Sequence, residues 1–451
     1  MAAKPKRLLT RLRLWFGTLQ PPAVLTVLYA ACVLAGAVLL WLPIAHHGTV
    51  TAGAALFTSV SAVTVTGLAV ADTGTDFTLF GQIVIALLIQ LGGLGLMTFA
   101  VMLLSALGIP VGMPQRLILR EEIGHTSTAG LALIARLIMR VALICEGIGA
   151  LLLMIVFVPE EGFWRGLWFS VFHSISAFNN AGFALYPDSL TRFAGNPVMN
   201  VTIPALFILG GLGFIVVGDV YQTRRWQGLA LHSKLMIAGT LALICFAFVT
   251  FAALEWGNPR TLGGLPDWET KVWASWFQAV TPRTAGFNTL DYGAMHDSTA
   301  LMTMLLMLVG GGSTSTAGGI KVTTLIVLML GTLAFFRRTE ELHVFGRSLG
   351  VDEVMKVMAL TTISLLVVLT GMFVISISHD AEFLDLAFEV TSAFGTVGLS
   401  RGATPHLDGM GRTVVMVIMF LGRVGPLTLG FFLATRSTPR VRYPRGEVYL
   451  G

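Results

Sequence analysis

The chain has 451 residues, of which 55% are hydrophobic and only 12% charged, with a formal net charge of +5. A mean hydropathy of +0.80 is far above that of soluble globular domains and points to a membrane protein. No hydrophilic stretch is long enough for a separate soluble domain, and the small positive excess is a topology signal that excludes a nucleic-acid-binding reading.

In chain order, the start MAAKPKRLLTRLRLW resembles the charged region of a signal peptide. The apolar run after it is too long and lacks a small-residue cleavage site, so it reads as a retained first span. A span needs roughly 20 apolar residues. Such runs fall at 23–44, 79–104, 131–158, 198–220, 235–254, 357–377 and 414–434, and an interrupted one at 301–336. Cys32, Cys145 and Cys245 all lie inside apolar runs, where they read as small packing residues.

With the N-terminus inside, eighteen Lys and Arg fall on the inner side, among them Lys4, Arg13, Arg116, Arg224, Arg337 and Arg445. Seven fall outside (Arg165, Arg192, Arg260, Lys271, Arg283, Arg401, Arg412) and four lie within apolar segments (Arg136, Arg140, Lys321, Arg423). The positive-inside rule then places both termini in the cytoplasm.

Four semi-polar segments align between the long runs: FTSVSAVTVTGLAVAD from Phe57, FHSISAFNNAGFALYPD from Phe172, FQAVTPRTAGFNTLD from Phe277 and FEVTSAFGTVGLS from Phe388. Each carries Ser or Thr four residues on (Ser61, Ser176, Thr281, Ser392) and then one Gly followed by Leu or Phe: Gly67, Gly182, Gly286 and Gly398. A second landmark, Gly92, Gly210, Gly310 and Gly422, follows each of these. Two landmarks in four copies establish an internal repeat of about 110 residues that fills the chain.

Each unit reads as outer helix, half-helix, re-entrant Gly strand and inner helix. The half-helices, near 54–63, 166–178, 272–280 and 384–394, are too short to span a bilayer. Non-helical backbone at membrane depth must be buried in protein or line a water-filled path, so four re-entrant loops imply a pore. The expected fold is an all-α polytopic membrane protein with four pseudo-symmetric helix, pore-loop, helix repeats around a central ion pore. Its parts are a cytoplasmic segment 1–22, repeats at 23–115, 116–225, 226–340 and 341–435, and a cytoplasmic tail 436–451.

A dehydrated cation needs its water shell replaced, and rings of backbone carbonyls do that. Aiming successive carbonyls at one axis requires φ > 0, which Gly reaches without steric cost. Gly67, Gly182, Gly286 and Gly398 are therefore candidate filter residues, with Val65-Thr66, Asn180-Ala181, Thr284-Ala285 and Thr396-Val397 supplying the neighbouring carbonyl rings. One such Gly alone reads more readily as a tight turn or a helix contact than as a filter residue; four in register reverse that preference. Half-helix C-termini directed at the pore centre add partial negative charge that favours a cation.

These motifs, TVTGL, NNAGF, TAGFNT and GTVGL, with GGGSTSTAGGIK at 310–321 and LGRVGP at 421–426, resemble the superfamily of bacterial, fungal and plant potassium transporters that includes TrkH, KtrB and HKT. The resemblance covers roughly residues 24–434 and is stronger to the KtrB branch, because no extra helix pair precedes the first repeat. It implies potassium uptake as the ion-translocating subunit of a gated, frequently sodium-dependent (symporter-like) transporter in the cytoplasmic (inner) membrane. A less selective sodium/potassium conductor of the same superfamily is the alternative. It further implies a homodimer in the lipid bilayer and a cytoplasmic nucleotide-binding regulatory ring of the KtrA type. Potassium, and for many members sodium, would be the bound ions, with no organic cofactor. Tetrameric potassium channels have two filter glycines per repeat; this chain has one, which predicts a shorter filter.

The third inner segment, LVGGGSTSTAGGIKVTT, holds five glycines, so a continuous helix through 310–319 is costly. Gly310, Gly311, Gly312, Ser313, Thr314, Ser315, Thr316, Gly318 and Gly319 with Lys321 are expected to form a loop beneath the filter, a gate by family resemblance or, alternatively, a site of close helix packing. Arg423, one residue after Gly422, is expected to face the pore or that loop as an electrostatic barrier, or else to form a structural pair. Lys321 either serves the gate or snorkels to the cytoplasm. Glu146 reads as a structural pair with Arg140 or a tie to another helix. His46, His47 and His173 form no recognisable metal-ligand set. Inverted repeats for alternating access are absent, because all four repeats start inside. Motifs of intramembrane enzymes, HExxH or GxSxG, are absent too.

Overall fold

The computed structural model describes residues 21–48, 50–95, 98, 131–313, 315–338 and 342–425. The expected N-terminal segment (all but its last two residues), Thr314 and the 436–451 tail lie outside the described residues.

Fourteen α-helices are present among the described residues, in four units of the expected order. The first holds α1 (Pro21–Trp41), the half-helix α2 (Ala52–Val63) and α3 (Leu79–Leu94). The second holds α4 (Leu131–Glu161), half-helix α5 (Phe163–Phe178), α6 (Pro197–Leu212) and α7 (Phe214–Thr223). The third holds α8 (Leu231–Glu255), half-helix α9 (Trp268–Val280), α10 (Asp297–Leu308) and α11 (Val322–Arg337). The fourth holds α12 (Val351–Ser378), half-helix α13 (Phe383–Gly395) and α14 (Gly409–Val424). A short antiparallel hairpin, β1 (Leu342–Val344) and β2 (Arg347–Leu349), joins α11 to α12.

The outer helices α1, α4, α8 and α12 contain the four single helices, among the described residues, that are long and apolar enough to cross a bilayer. Only about a third or less of each span is covered by protein, which leaves Leu34, Leu151, Val249 and Phe373 among the side chains free to meet lipid. The half-helices sit at the opposite extreme. Phe57, Phe172, Phe277 and Phe388, the first landmark of every repeat, are each 0% exposed. Lipid tails are as apolar as Phe, so these rings are held by close packing rather than by escape from water. Side-chain caps start the elements that border the outer loops. Thr51 accepts from the Ala54 N–H, Thr78 from Gly81, Asn196 from Val198 and Met199, and Asp408 from Gly411.

The inner segments differ from expectation. The apolar runs at 79–104, 198–220 and 414–434 read as continuous spans, but their helices stop at Leu94, Leu212 and Val424. Gly95, Gly213 and Gly425 follow with φ of 90°, 100° and 95°. A helix ends where one residue enters this region, and Gly does so without a Cβ clash. Between α6 and α7 the chain turns by 94°. With the third unit broken at 309–321, the inner helix is interrupted in every unit.

The second-landmark glycines explain how the inner helices approach. A Cβ on Gly92, Gly210 or Gly422 would strike the carbonyl oxygen of Val63, Phe178 or Phe394, the last or next-to-last residue of the half-helix in the same unit. Gly310 differs: its Cβ would strike Gly318, inside the loop.

Candidate functional site

Each half-helix ends one to four residues before a strand in which two left-handed residues stand on either side of one that is not. Val65, Asn180, Thr284 and Thr396 have φ of 50°, 56°, 67° and 49°, and Gly67, Gly182, Gly286 and Gly398 have φ of 90°, 69°, 78° and 93°. Each strand thus holds more than the one left-handed position that its Gly supplies. A second exists in every strand, at β-branched Val or Thr in three of them, where it costs about 1–3 kcal/mol. The strain is local and repeated fourfold, the pattern of a functional backbone.

The half-helices hold these strands by their N–H groups. Thr66, Ala181 and Val397 donate to Ser61, Ser176 and Ser392 at 2.8, 2.8 and 2.9 Å, and Ala285 donates to Thr281 at 3.0 Å. Gly67 and Gly398 donate to the hydroxyls of Ser61 and Ser392 at 3.0 and 3.1 Å. In a trans peptide the N–H and the preceding C=O point in opposite directions. The carbonyls of Val65, Asn180, Thr284 and Thr396, and of Thr66 and Val397, therefore turn away from the scaffold. Among the described residues nothing donates a hydrogen bond to any carbonyl of the twelve candidate residues of these strands.

The strands close into a ring in chain order. A Cβ on Gly67 would meet the Ala181 carbonyl oxygen, one on Gly182 that of Ala285 at 3.1 Å, one on Gly286 that of Val397, and one on Gly398 that of Thr66. Val65, Thr66, Gly67, Asn180, Ala181, Gly182, Thr284, Ala285, Gly286, Thr396, Val397 and Gly398 thus come together as one constellation around an axis, carbonyls presented and no side chain tolerated at the Gly level. Such a ring replaces the hydration shell of a cation.

The expected loop lies against the inner end of this ring. Gly312 and Thr316 donate to the Gly211 and Gly210 carbonyls at 2.7 and 3.2 Å, and Gly310 pairs with Ile320 at 2.8 Å. The Thr316 hydroxyl donates to Asn180 Oδ1 at 2.7 Å, and Asn180 Nδ2 donates to Thr284 Oγ1 at 3.2 Å, so the loop is bonded to the second strand directly and linked to the third through Asn180. Gly318 packs on the Thr396 side chain with no room for a Cβ. The contact thus reaches three of the four strands, through Asn180, Thr284 and Thr396.

Arg423 ties this loop to the first unit. Its guanidinium donates to the Thr316 carbonyl and to the carbonyls of Gly92 and Gly93, the last at 3.1 Å. Lys321 Nζ donates to Ala317 at 2.8 Å, back into the loop rather than outward. A cavity of about 540 Å³ borders the assembly, lined among others by Gly93, Gly95, Ser315, Lys321, Arg423 and Gly425.

Glu146, 7% exposed, takes the other-helix option. Its carboxylate accepts from Gln90 Nε2 at 2.9 and 3.2 Å and from Asn179 Nδ2 at 3.1 Å, and no ion pair with Arg140 occurs among the described residues. Among the described residues no group of three His, Cys, Asp or Glu is placed to hold a metal.

The sequence profile of the TrkH family, described as a cation transport protein, matches residues 29–438. The chain belongs to the TrkH cation transport family. It is 48% identical to the Ktr system potassium uptake protein B of Bacillus subtilis (strain 168) over 431 residues, covering 96% of this chain and 97% of that one. It is 39% identical to the protein of the same name from Vibrio alginolyticus, with 95% of both chains covered. It is 35% identical to the potassium/sodium uptake protein NtpJ of Enterococcus hirae, covering 88% and 89%. The crystal structure of the potassium transporter TrkH from Vibrio parahaemolyticus superposes with a TM-score of 0.73 at 18% identity over 92% of this chain and 86% of that one, a likeness of fold. A TrkH-family transporter is not an enzyme, in agreement with the missing nucleophile and metalloprotease motifs.

Proposed function

We propose that the chain is the ion-translocating subunit of a Ktr-type potassium uptake system, with the twelve-residue ring as its selectivity filter and the 310–321 loop with Arg423 as its gate. The carrying observation is the pair of left-handed positions in each of four strands, with N–H groups bound to the half-helices and carbonyls left unbonded. Two relatives named as Ktr potassium uptake protein B, matched nearly end to end, support the same reading. A gate role for the loop is supported by its bonds to Asn180 and, through Arg423, to the first inner helix.

The four repeats at 23–115, 116–225, 226–340 and 341–435 each supply one quarter of the pathway. The bias of Lys and Arg supports insertion in the cytoplasmic membrane with both termini inside. The word "system" in the relatives' names supports further subunits, which we take to be a second copy of the chain and a cytoplasmic nucleotide-binding ring. A sodium role, as coupling ion or as a second permeant ion, draws support from the potassium/sodium uptake name of the Enterococcus hirae relative.

The test is expression, with and without the cytoplasmic partner, in cells lacking potassium uptake, grown at low potassium. Growth is rescued with the partner present. Absence of rescue, together with absence of potassium flux into liposomes holding the purified protein, would sink the reading.

A further inference from the structure

The filter strands are bound at their inner ends by the half-helices, but beyond each Gly the chain runs outward without helix or sheet. In three repeats the residue after the landmark Phe reaches across to the backbone twelve residues on. His173 Nε2 accepts from the Leu185 N–H at 3.3 Å. Gln278 Nε2 donates to the Leu290 carbonyl at 3.1 Å. Glu389 Oε1 accepts from the Arg401 N–H at 3.1 Å. These three side chains belong to residues 0%, 1% and 0% exposed. The separation is twelve each time, although the third repeat reaches its Gly one residue earlier than the others.

The chemistry differs while the geometry is kept. His173 Nδ1 lies 2.8 Å from the Phe169 carbonyl, which assigns the ring proton to Nδ1 and leaves Nε2 as an acceptor. Glu389 also accepts from Ser400 Oγ at 2.5 Å and from the Thr404 hydroxyl. In the first repeat the corresponding residue is Thr58, 1% exposed, whose hydroxyl has no partner among the described residues.

We propose that His173, Gln278 and Glu389 are positioning residues that latch the outer end of the filter strands to the half-helices and so set discrimination between potassium and sodium. They act through the strand backbone and touch no ion. The first repeat, without a latch, is the most compliant quarter of the ring. Strained left-handed residues persist only where their surroundings over-determine them, and a strand tied at one end alone is free to rotate its carbonyls. This inference rests on the twelve-residue ring being the filter.

The donor and acceptor pattern supplies the test. Gln278→Glu, when ionised, sets an acceptor against the Leu290 carbonyl and breaks the latch, whereas Glu389→Gln keeps an acceptor for the Arg401 N–H. Potassium and sodium fluxes are measured separately for the full chain in proteoliposomes, with monodispersity on a sizing column as the folding check. For Gln278→Glu the potassium-to-sodium flux ratio falls about fivefold or more. For Glu389→Gln it stays within about twofold of wild type, and for Glu389→Leu it falls as in Gln278→Glu. If Gln278→Glu does not fold, Gln278→Met removes the donor at similar volume and gives the same loss. An unchanged ratio in a folded Gln278→Glu or Gln278→Met protein overturns the proposal, as does an equal loss in Glu389→Gln and Glu389→Leu. A wild-type chain that carries no potassium overturns the filter reading instead, so the two failures are distinct.

Discussion

Arg423→Ala removes a side chain that bonds the loop to the first inner helix, and two effects follow. The first is mechanical: the hydrogen bonds from the guanidinium to Thr316, Gly92 and Gly93 are lost. Bonds to a charged group contribute about 1.5–3 kcal/mol each. The second is electrostatic. A monovalent cation passing about 6 Å from the guanidinium at an effective dielectric of about 20 is opposed by roughly 3 kcal/mol. Where that step limits passage, removing the charge raises flux about a hundredfold. Rubidium tracer uptake into proteoliposomes measures it, with Arg423→Lys separating the two effects. Lys keeps the charge but presents a compact ammonium in place of the planar fork that spans Thr316 and Gly92. We expect a large rise for Ala and a smaller one for Lys. Equal uptake by wild type and a folded Arg423→Ala protein would refute the reasoning and remove Arg423 from the gate.

Gly422→Ala forces a Cβ into the Phe394 carbonyl, with Phe394 carbon atoms only 2.9 and 3.2 Å away, so α14 must withdraw from its half-helix. Overpacking of this kind costs about 1–3 kcal/mol; thermal inactivation in detergent should come earlier, while Gly409→Ala, with nothing within 4 Å, should match wild type. Glu146→Leu leaves Gln90 Nε2 without its carboxylate partner among the described residues and should destabilise by about 1–3 kcal/mol, read by the same assay. Glu146→Gln, which keeps an acceptor, should lose less.

The filter glycines were legible because a strand that carries φ > 0 at the same place in four copies prints Gly at the same place four times. The left-handed positions two residues earlier were not legible: Val65, Thr284 and Thr396 are β-branched, types that local rules assign to extended backbone. What accompanies them is a set of hydrogen bonds from the next residue back to Ser61, Thr281 and Ser392, four or five positions earlier, a feature of the folded-back segment that no single-residue propensity contains. The hydroxyl position four after each Phe was visible as a landmark, but its role was visible only once the strand lay beside it. Breaks at Gly95, Gly213 and Gly425 escaped for another reason. Hydropathy counts apolar residues and is blind to their direction, so a chain that bends by 94° inside an apolar run reads as straight. A signal was present in Gly92 to Gly95, Gly210 to Gly213 and Gly422 to Gly425, a Gly pair three apart in three repeats. Its first member permits close approach to the half-helix and its second, at positive φ, ends the helix. Arg423 and the loop were legible as irregularities in apolar surroundings; their bond to each other was not.

The ring itself is tested most directly at Gly286, where a side chain would meet the Val397 carbonyl oxygen of the next strand. Potassium and sodium uptake are measured separately in proteoliposomes for wild type and Gly286→Ser. The account predicts potassium-selective uptake by wild type and a clear loss of discrimination in the variant. Unchanged selectivity in a folded Gly286→Ser protein would contradict it.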